Sequence, residues 1–383
     1  MFTFPLSPLE LFAERRKQFI GWGIPSRVVS RVEACVTDNW ADGPGGWTYE
    51  WILEADHAKG QENWMLASAL YGAARFPCLS TPSRTAALRQ QVHCFMRASS
   101  RFPLHFEREI VVCKEASGEV SIPVHVYAPQ PSSKLPTVIL SGGVDTGKME
   151  LHRLSKLLCK IGKFRVVAMD MPGTGESNTP LTCDADRIYR AVIEKYRGEG
   201  KVGIVGVSFG GHWAAKLALL HQVDAAVNFG GPIGVDGMDA DYVAALPNGM
   251  PGIVGNAMRL ETYPDRQVAG LMIQDFSLKT QGLLDQVDTS PMLAVNGADD
   301  QYIPIADVEV FWRYPSAEVW LLRGLTHCAI EKIERVVPGM ITWLRKELHG
   351  DSMKTRLLHG MAMKVLPEKL SDPRTRTQRY LPS

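Results

Sequence analysis

Apolar residues recur at helical spacing through the first part of the chain. Five segments carry them at about every third or fourth position, which places them along one face of an α-helix. These segments are Leu9–Ile20, Arg27–Val36, Gly46–Lys59, Gln61–Ala74 and Ser83–Ser99. The pattern therefore predicts a helical domain over residues 1–105.

Tryptophan is concentrated in the same region, and two interpretations of it are open. Trp22, Trp40, Trp47, Trp51 and Trp64 are five of the nine tryptophans in the chain. Large aromatic side chains are usually buried, so the simpler interpretation makes them the core of the helical domain. In the alternative, one or two of them line an apolar pocket for a flat substrate.

The hydrophobic pattern changes near residue 106. Phe106–Lys114 and Val120–Ala128 alternate apolar and polar residues on either side of Ala-Ser-Gly118, which predicts a β-hairpin. Strands and helices then alternate, which predicts a mostly parallel sheet with helices on both faces. The predicted strands are Thr137–Leu140, Arg165–Asp170, Val202–Val207, Ala225–Phe229, Met292–Asn296 and Glu318–Leu322, and the predicted helices are Lys148–Ile161, Asp184–Arg197, Gly210–Gln222, Ile305–Trp312 and Val336–Leu348. A hairpin that enters a parallel sheet is the order of the α/β-hydrolase fold, which we predict for residues 106–350.

Two segments depart from this alternation. Residues 232–288 are rich in Gly, Pro, Met and Asp and contain helical pieces such as Gln267–Leu278. Their place in the order predicts a cap insertion over the site described next. Residues 351–383 carry seven Lys or Arg and three Asp or Glu, which predicts a basic, solvated and partly disordered tail.

A serine flanked by glycines lies between a predicted strand and a predicted helix. The motif Gly206-Val-Ser208-Phe-Gly210 matches the nucleophile elbow of α/β-hydrolases, in which a sharp turn exposes the serine. Residues two before and two after the serine must be small, because strand and helix cross closely there. Ser208 is therefore the candidate nucleophile.

A serine nucleophile needs a base, and the base needs an acid to orient it. In this fold the chain order is serine, acid, histidine. His327 lies in a loop directly after a predicted strand, whereas His349 ends a helix and His359 lies in the tail. For the acid, the spacing to the neighbouring glycine and proline selects Asp300, and the adjacent Asp299 remains the alternative.

The oxyanion hole of such a site is built from two backbone N–H groups. One comes from Phe209, which follows the nucleophile, and the other from Gly143 or Val144, in the loop after the first parallel strand.

The same loop, Gly142–Met149, nearly matches a phosphate-binding P-loop. Met149 stands where that motif requires a magnesium-binding hydroxyl, and a thioether binds hard cations poorly, so the pattern does not favour a nucleoside triphosphatase.

Composition narrows the classes of partner. The chain is 45% hydrophobic and 22% charged, as in soluble globular proteins, and its net charge of +1 favours neither nucleic acid nor an anionic membrane. No segment approaches the ~18 apolar residues of a membrane span, and the N-terminus lacks a signal-peptide pattern. Seven scattered cysteines without a C-x-x-C pair favour a reducing compartment. We expect a cytoplasmic protein with a small-molecule substrate, no cofactor or metal, and no nucleic-acid or membrane partner.

Several segments together resemble the FrsA-like esterase group of the α/β-hydrolases. The resemblance spans residues 45–348 and depends on five segments, Ser141–Asp145, Met169–Ser177, Gly206–Gly211, Phe229–Pro232 and Phe276–Gly282. It implies that Ser208, Asp300 and His327 form a catalytic triad, that the helical N-terminal domain is a cap that helps to close the pocket, and that the protein is a homodimer. Members similar to this chain, the dihydroxypseudooxynicotine hydrolases and the fungal polyketide-shortening hydrolases of melanin pathways, cleave a carbon–carbon bond beside a ketone.

The leading hypothesis is a serine-dependent hydrolase that cleaves an ester, or a carbon–carbon bond next to a ketone, in an aromatic or polyketide-like small molecule. A second hypothesis is that the same site excludes water and performs acyl transfer or cyclisation in natural-product biosynthesis. A third is a binding protein that uses the hydrolase shell without catalysis. The third is disfavoured because a binding shell has no physical need for a complete triad.

Overall fold

Helices make up the N-terminal part of the chain in the computed structural model, which describes residues 1–115, 118–131, 134–235 and 239–372. The helices are α1 (Pro8–Trp22), α2 (Ser26–Cys35), α3 (Trp47–Gly60), α4 (Trp64–Ala74) and α5 (Pro82–Ser99). Local signals set the ends of α1: the Ser7 hydroxyl accepts from the Glu10 N–H, and Gly23 adopts a left-handed conformation with φ 107°. Proline in the first turn, as in α1 and α5, suits a helix start.

Aromatic side chains form the core of this helical region. Trp47 and Trp51 are fully buried and pack against Phe12 and Phe19. For these two tryptophans the structure supports the core interpretation.

Eight strands form one sheet after the helices. They are β1 (His105–Glu115), β2 (Gly118–Ala128), β3 (Thr137–Ser141), β4 (Arg165–Met169), β5 (Val202–Val207), β6 (Ala225–Phe229), β7 (Met292–Gly297) and β8 (Ala317–Leu322). Their order across the sheet is β1-β2-β4-β3-β5-β6-β7-β8. The pairs β1–β2 and β2–β4 are antiparallel and the other pairs are parallel. This topology confirms the predicted α/β-hydrolase fold; residues 116–117 of the predicted hairpin turn lie outside the described residues.

Alternate residues of the strands face two separate apolar layers. On β3, Val138 and Leu140 join one buried cluster while Ile139 joins the other. The helices that cover the two faces are α6 (His152–Leu157), α7 (Asp186–Arg197), α8 (Phe209–Leu219), α12 (Ala306–Glu309) and α13 (Ile333–His349). The predicted helix at 148–161 begins later than expected, at His152, and continues after α6 as a short π-helix, Leu158–Gly162. The N–H groups of Gly147 and Lys148 bond instead to the side chains of Glu150 and Asp170.

The described residues of the interval 232–288 contain the α-helices α9 (Ala240–Ala244), α10 (Met250–Ala257) and α11 (Arg266–Phe276), and a short 3-10 helix, Leu283–Asp285. They lie beyond the carboxyl end of β6. Within the described ranges, none of the helices combines the length and the apolar character needed to cross a membrane.

The first part of the C-terminal tail forms a helix, and many of its side chains are exposed. The expectation of a solvated, partly disordered tail stays a prediction. Residues Met353–Met363 form α14, whose N-terminus is capped by Ser352 and whose His359 Nδ1 lies 3.1 Å from Thr342 Oγ1 of α13. The following segment runs beside β8, where the Leu370 N–H donates to the Leu321 carbonyl at 2.7 Å. This segment covers the exposed edge of the sheet at β8. Its position therefore depends on the hydrogen-bonding groups of β8 and not on its own sequence pattern. Residues 373–383 lie outside the described residues.

A buried ion-pair network joins the loops that follow β3 and β4. The Lys148 ammonium, fully buried, pairs with Asp170 and with Glu176 at 2.8 Å. Asp170 also accepts from the backbone N–H groups of Lys148 and Glu176, both at 2.8 Å. Burial raises the pKa of Asp170, but the charge of Lys148 and these hydrogen bonds outweigh burial and lower it. Asp170 thus anchors the turn after β4, and the lysine of the P-loop-like segment is held in ion pairs.

We expect Asp170→Asn to destabilise the fold by about 3 kcal/mol, because it leaves the buried Lys148 charge short of its main partner. Urea unfolding measures this loss of free energy. The control is Arg266→Gln, which breaks the exposed ion pair with Asp241 and should barely move the midpoint. Equal midpoints for the two variants would contradict the importance of the network.

Candidate active site

Ser208 lies at the turn from β5 to α8 and has a strained backbone. Its φ is 55° and its ψ is −133°, a conformation that residues other than glycine rarely adopt. The Ser208 N–H donates to the Phe229 carbonyl of β6 at 2.8 Å, which holds the turn against the sheet. This hydrogen bond to β6 therefore helps to hold the Ser208 backbone in its strained conformation.

Close packing explains the glycines around this serine. A Cβ added to Gly206 would lie 1.9 Å from the Gly210 carbonyl oxygen, and one added to Gly210 would lie 2.5 Å from the Gly142 oxygen. One added to Gly211 would meet the Asn228 side chain at 2.2 Å. These positions admit no side chain, which is the reason for the spacing of the motif.

The structure brings Ser208, His327 and Asp300 together. His327 Nε2 lies 2.9 Å from Ser208 Oγ, and His327 Nδ1 lies 2.6 Å from Asp300 Oδ2. The three residues follow β5, β8 and β7, so their side chains meet at the carboxyl edge of the sheet. Of the two candidate acids, Asp300 is the one that contacts the histidine; Asp299 is exposed.

The surroundings of His327 favour its protonated form. Burial lowers the pKa of His327, but the neighbouring Cys328 and the charge and hydrogen bond of Asp300 outweigh burial and raise it well above 6.5. The Asp300 side chain is 1% exposed, so its charge acts on the imidazole with little screening by water. This arrangement can take a proton from the serine hydroxyl and stabilise the resulting imidazolium.

Asn296 hydrogen-bonds to both the loop that carries Asp300 and the loop that carries His327. The sequence pattern did not identify this residue. Its Nδ2 donates to Asp300 Oδ2 at 2.7 Å, and its Oδ1 accepts from the Cys328 N–H at 3.0 Å. The other oxygen of Asp300 accepts from the Tyr302 N–H at 2.7 Å. Its place near the end of a buried strand could have indicated such a role, because a buried side-chain amide needs hydrogen-bond partners.

The predicted oxyanion loop lies directly beside the serine. A Cβ added to Gly143 would lie 2.9 Å from Ser208 Oγ and 3.4 Å from the Phe209 nitrogen. Phe209 is the first residue of α8, so its N–H has no partner within the helix. Val144 is buried and lines the cavity over the serine. The three predicted donors, Phe209, Gly143 and Val144, are thus near the position where an oxyanion would form.

An apolar cavity of about 110 Å³ opens onto Ser208 and His327. The helices of the 232–288 segment supply much of its wall. Its apolar side chains include Val144, Ile233, Val243, Leu246, Met250, Val254, Met272, Phe276 and Ile303. None of the five N-terminal tryptophans is among the residues that line it. Charged groups would lose hydration without compensation in such a space, so it suits a neutral group.

His212 is a second histidine in the wall of the cavity and was not predicted to lie there. Its Nδ1 is 3.0 Å from the Pro232 carbonyl oxygen, which can only accept, so this nitrogen carries the proton. Burial lowers the pKa of His212 to about 3, although the hydrogen bond to Pro232 opposes the shift. His212 therefore stays neutral at physiological pH and leaves His327 as the histidine that titrates beside Ser208.

No group of three or more His, Cys, Asp or Glu side chains suited to a metal ion occurs within residues 1–115, 118–131, 134–235 and 239–372. All seven cysteines lie in these ranges, and none of them is in a disulfide bond. The site as described consists of protein groups around an apolar cavity.

Comparisons with known proteins identify the family of this chain. The profile of the Esterase FrsA-like family matches residues 24–349. Esterase FrsA of Vibrio parahaemolyticus is 26% identical over 356 residues, which cover 85% of this chain and 83% of that protein. Esterase FrsA of Photobacterium profundum is 26% identical over 323 residues, which cover 75% of this chain and 76% of that protein.

Two solved structures share the fold along most of the chain. AbyA5 superposes with a TM-score of 0.75 at 19% identity and covers 89% of this chain and 95% of its own. The 2,6-dihydroxy-pseudo-oxynicotine hydrolase superposes with a TM-score of 0.67 at 19% identity and covers 87% of this chain and 95% of its own. At these identities the likeness shows the fold alone, whereas the family profile spans most of the chain. The chain therefore belongs to the Esterase FrsA-like family and is an enzyme of the α/β-hydrolase superfamily.

Proposed function

We propose that this enzyme is a serine hydrolase in which Ser208 attacks the carbonyl carbon of a neutral, apolar small molecule. The observation that carries the proposal is the hydrogen-bonded series Ser208–His327–Asp300 at 2.9 Å and 2.6 Å, which opens into an apolar cavity. Each link has the length and order that nucleophilic catalysis by serine needs.

The reaction would proceed in two halves. His327 takes the Ser208 proton as the oxygen attacks, and the oxyanion accepts from the N–H groups of Phe209 and of Gly143 or Val144. The intermediate expels an alkoxide or a stabilised carbanion, and His327 returns the proton to that leaving group. Water then attacks the acyl-enzyme while His327 accepts a proton from the water. His327 returns this proton to Ser208 Oγ as the bond between the serine oxygen and the acyl carbon breaks and a carboxylic acid is released.

The substrate class follows from the site and from the resemblance. The cavity favours a neutral acyl group, and its volume of about 110 Å³ is smaller than the ~150 Å³ cavity that accommodates benzene. A short acyl group fits within this space, which is partly open, so the rest of a larger aromatic or polyketide-like substrate can extend out of it. One structural neighbour hydrolyses 2,6-dihydroxy-pseudo-oxynicotine, which supports carbon–carbon cleavage beside a ketone as well as ester cleavage. A carbon leaving group must be delocalised, since the triad cannot expel an unstabilised carbanion.

The acyl-transfer alternative uses the same first half and differs in the acceptor of the acyl group. A stopped-flow burst followed by an acyl-enzyme that persists in water and is released by an added alcohol or amine would favour transfer over hydrolysis. The absence of disulfide bonds among the described cysteines supports our proposal of a reducing, cytoplasmic location. The homodimer remains a prediction from the resemblance.

We expect wild-type protein to gain one fluorophosphonate adduct and Ser208→Ala to gain none, because the adduct forms on an activated serine. Intact-protein mass spectrometry measures this. Ser277→Ala is a matched control, since Ser277 also lines the cavity but its hydroxyl donates to the Gly234 carbonyl at 2.6 Å; it should still be labelled. Labelling of Ser208→Ala, or none of folded wild type, would contradict the proposal.

We expect kcat/KM for 4-nitrophenyl acetate to fall at acid pH with an apparent pKa above 6.5, because the base must be unprotonated and the pKa of His327 is raised. Activity is present above this pKa and is lost as the pH falls through it.

Asp300→Asn removes the charge that favours the imidazolium. The pH at which activity is lost on acidification should therefore decrease, and kcat should fall about 10³- to 10⁴-fold. Rate profiles between pH 5 and 9 test both statements, and a wild-type limb at or below 6.5 would count against them.

A further inference from the structure

Side chains of the first helix reach into the active-site loops of the hydrolase core. Glu14, Arg15 and Gln18 lie on neighbouring positions of one side of α1 and all three contact residues of the core. Their partners belong to the oxyanion loop and to the loop that carries Asp300. The N-terminal domain is thus in direct contact with two of the loops that form the site.

Arg15 makes the contact nearest to the oxyanion position. Its Nη1 lies 3.3 Å from Asp145 Oδ2, and the two side chains are only 11% and 8% exposed. Asp145 directly follows Gly143 and Val144, the candidate donors. A buried ion pair is weakly screened, so this contact restrains the loop more than a surface pair would.

A second set of bonds holds the other oxygen of the same carboxylate. The Thr146 hydroxyl donates to Asp145 Oδ1 at 2.8 Å, and Gln18 Nε2 donates to Thr146 Oγ1 at 3.0 Å. Both carboxylate oxygens of Asp145 are therefore held, one directly and one indirectly, by α1.

The same helix also contacts the acid loop. The Glu14 carboxylate accepts from the Tyr302 hydroxyl and from Gln301 Nε2 at 3.3 Å. The Tyr302 ring packs edge-on against His327 with 5.2 Å between ring centroids, and the Arg15 guanidinium lies 5.7 Å from the Tyr302 ring centroid. Arg15 therefore sits between the loop that would bind the oxyanion and the aromatic side chain that supports the base.

We propose that Arg15 is a positioning residue for catalysis, which acts through Asp145 to hold the Gly143–Val144 backbone where it can donate to the oxyanion. The inference rests on the proposed serine mechanism. It assigns the N-terminal helix a part in the chemical step, in addition to closing the pocket.

Such a role acts on the transition state more than on substrate binding. The oxyanion forms only after Ser208 attacks, so a displaced N–H donor lowers kcat and leaves KM nearly unchanged. Loss of one such donor costs about 10²- to 10³-fold in other serine hydrolases. A displaced donor costs less than a lost one, so we expect a decrease of about 10- to 100-fold.

The test compares Arg15→Gln with wild type in the full-length protein, with 4-nitrophenyl acetate as substrate and the active fraction titrated by fluorophosphonate labelling. We expect kcat per labelled site to fall about 10- to 100-fold with KM within threefold of wild type. Asp145→Asn should show the same split, and the double variant should be no slower than the slower single variant, because both act on one contact. Arg15→Lys should recover part of the loss.

The matched control is Arg16→Gln, because Arg16 is the next residue on α1 and pairs with Glu33 inside the helical domain. It should keep kcat per labelled site within twofold of wild type. The inference is overturned if Arg15→Gln does the same, or if it lowers only the labelled fraction and the thermal midpoint, which would show a purely structural role. Failure of wild type to be labelled or to hydrolyse the ester would refute the serine mechanism itself, so the two failures are distinguishable.

Discussion

The close crossing of β5 and α8 at Ser208 is the constraint on which the rest of the site depends. Ser208 holds a strained, positive φ there, and the contacts at Gly206 and Gly210 leave no room for a side chain at those two positions. The turn aims the hydroxyl out of the sheet edge and places the first N–H of α8 beside it. The loops after β3, β7 and β8 then have to approach this one point, because catalysis needs an oxyanion donor, an acid and a base within hydrogen-bond distance of each other.

Buried polar contacts hold these loops in place. Asn296 links the acid loop to the base loop, and the Lys148–Asp170 pair links the loops after β3 and β4. Each contact is costly to break, since its groups would lose a partner where water does not reach them. Rigid loops matter here because the preorganised donors have to be in position before charge develops on the substrate.

Much of the fold and of the site could be predicted from short-range patterns. The period-2 and period-3.6 patterns identified the strands and most helices, because apolar spacing reports directly on which face is buried. Ser208 and His327 could be found because their motifs are local and follow strands. Residue spacing favoured Asp300 over Asp299, but the hydrophobic pattern could not exclude Asp299. The two residues are adjacent in one turn, and only the folded structure shows which side chain faces His327.

The sequence by itself determined the α/β order, the elbow and the serine–acid–histidine sequence, because each depends on neighbours along the chain. Only the tertiary structure decided which side chains support them. The contacts of Arg15 with Asp145 and of Glu14 with Tyr302 join residues more than a hundred positions apart. Residues 353–372 contact α13 and the open edge of β8, which their own composition does not indicate. Such contacts depend on which distant segments the folded chain brings together. The spacing of residues along the sequence does not predict these long-range contacts.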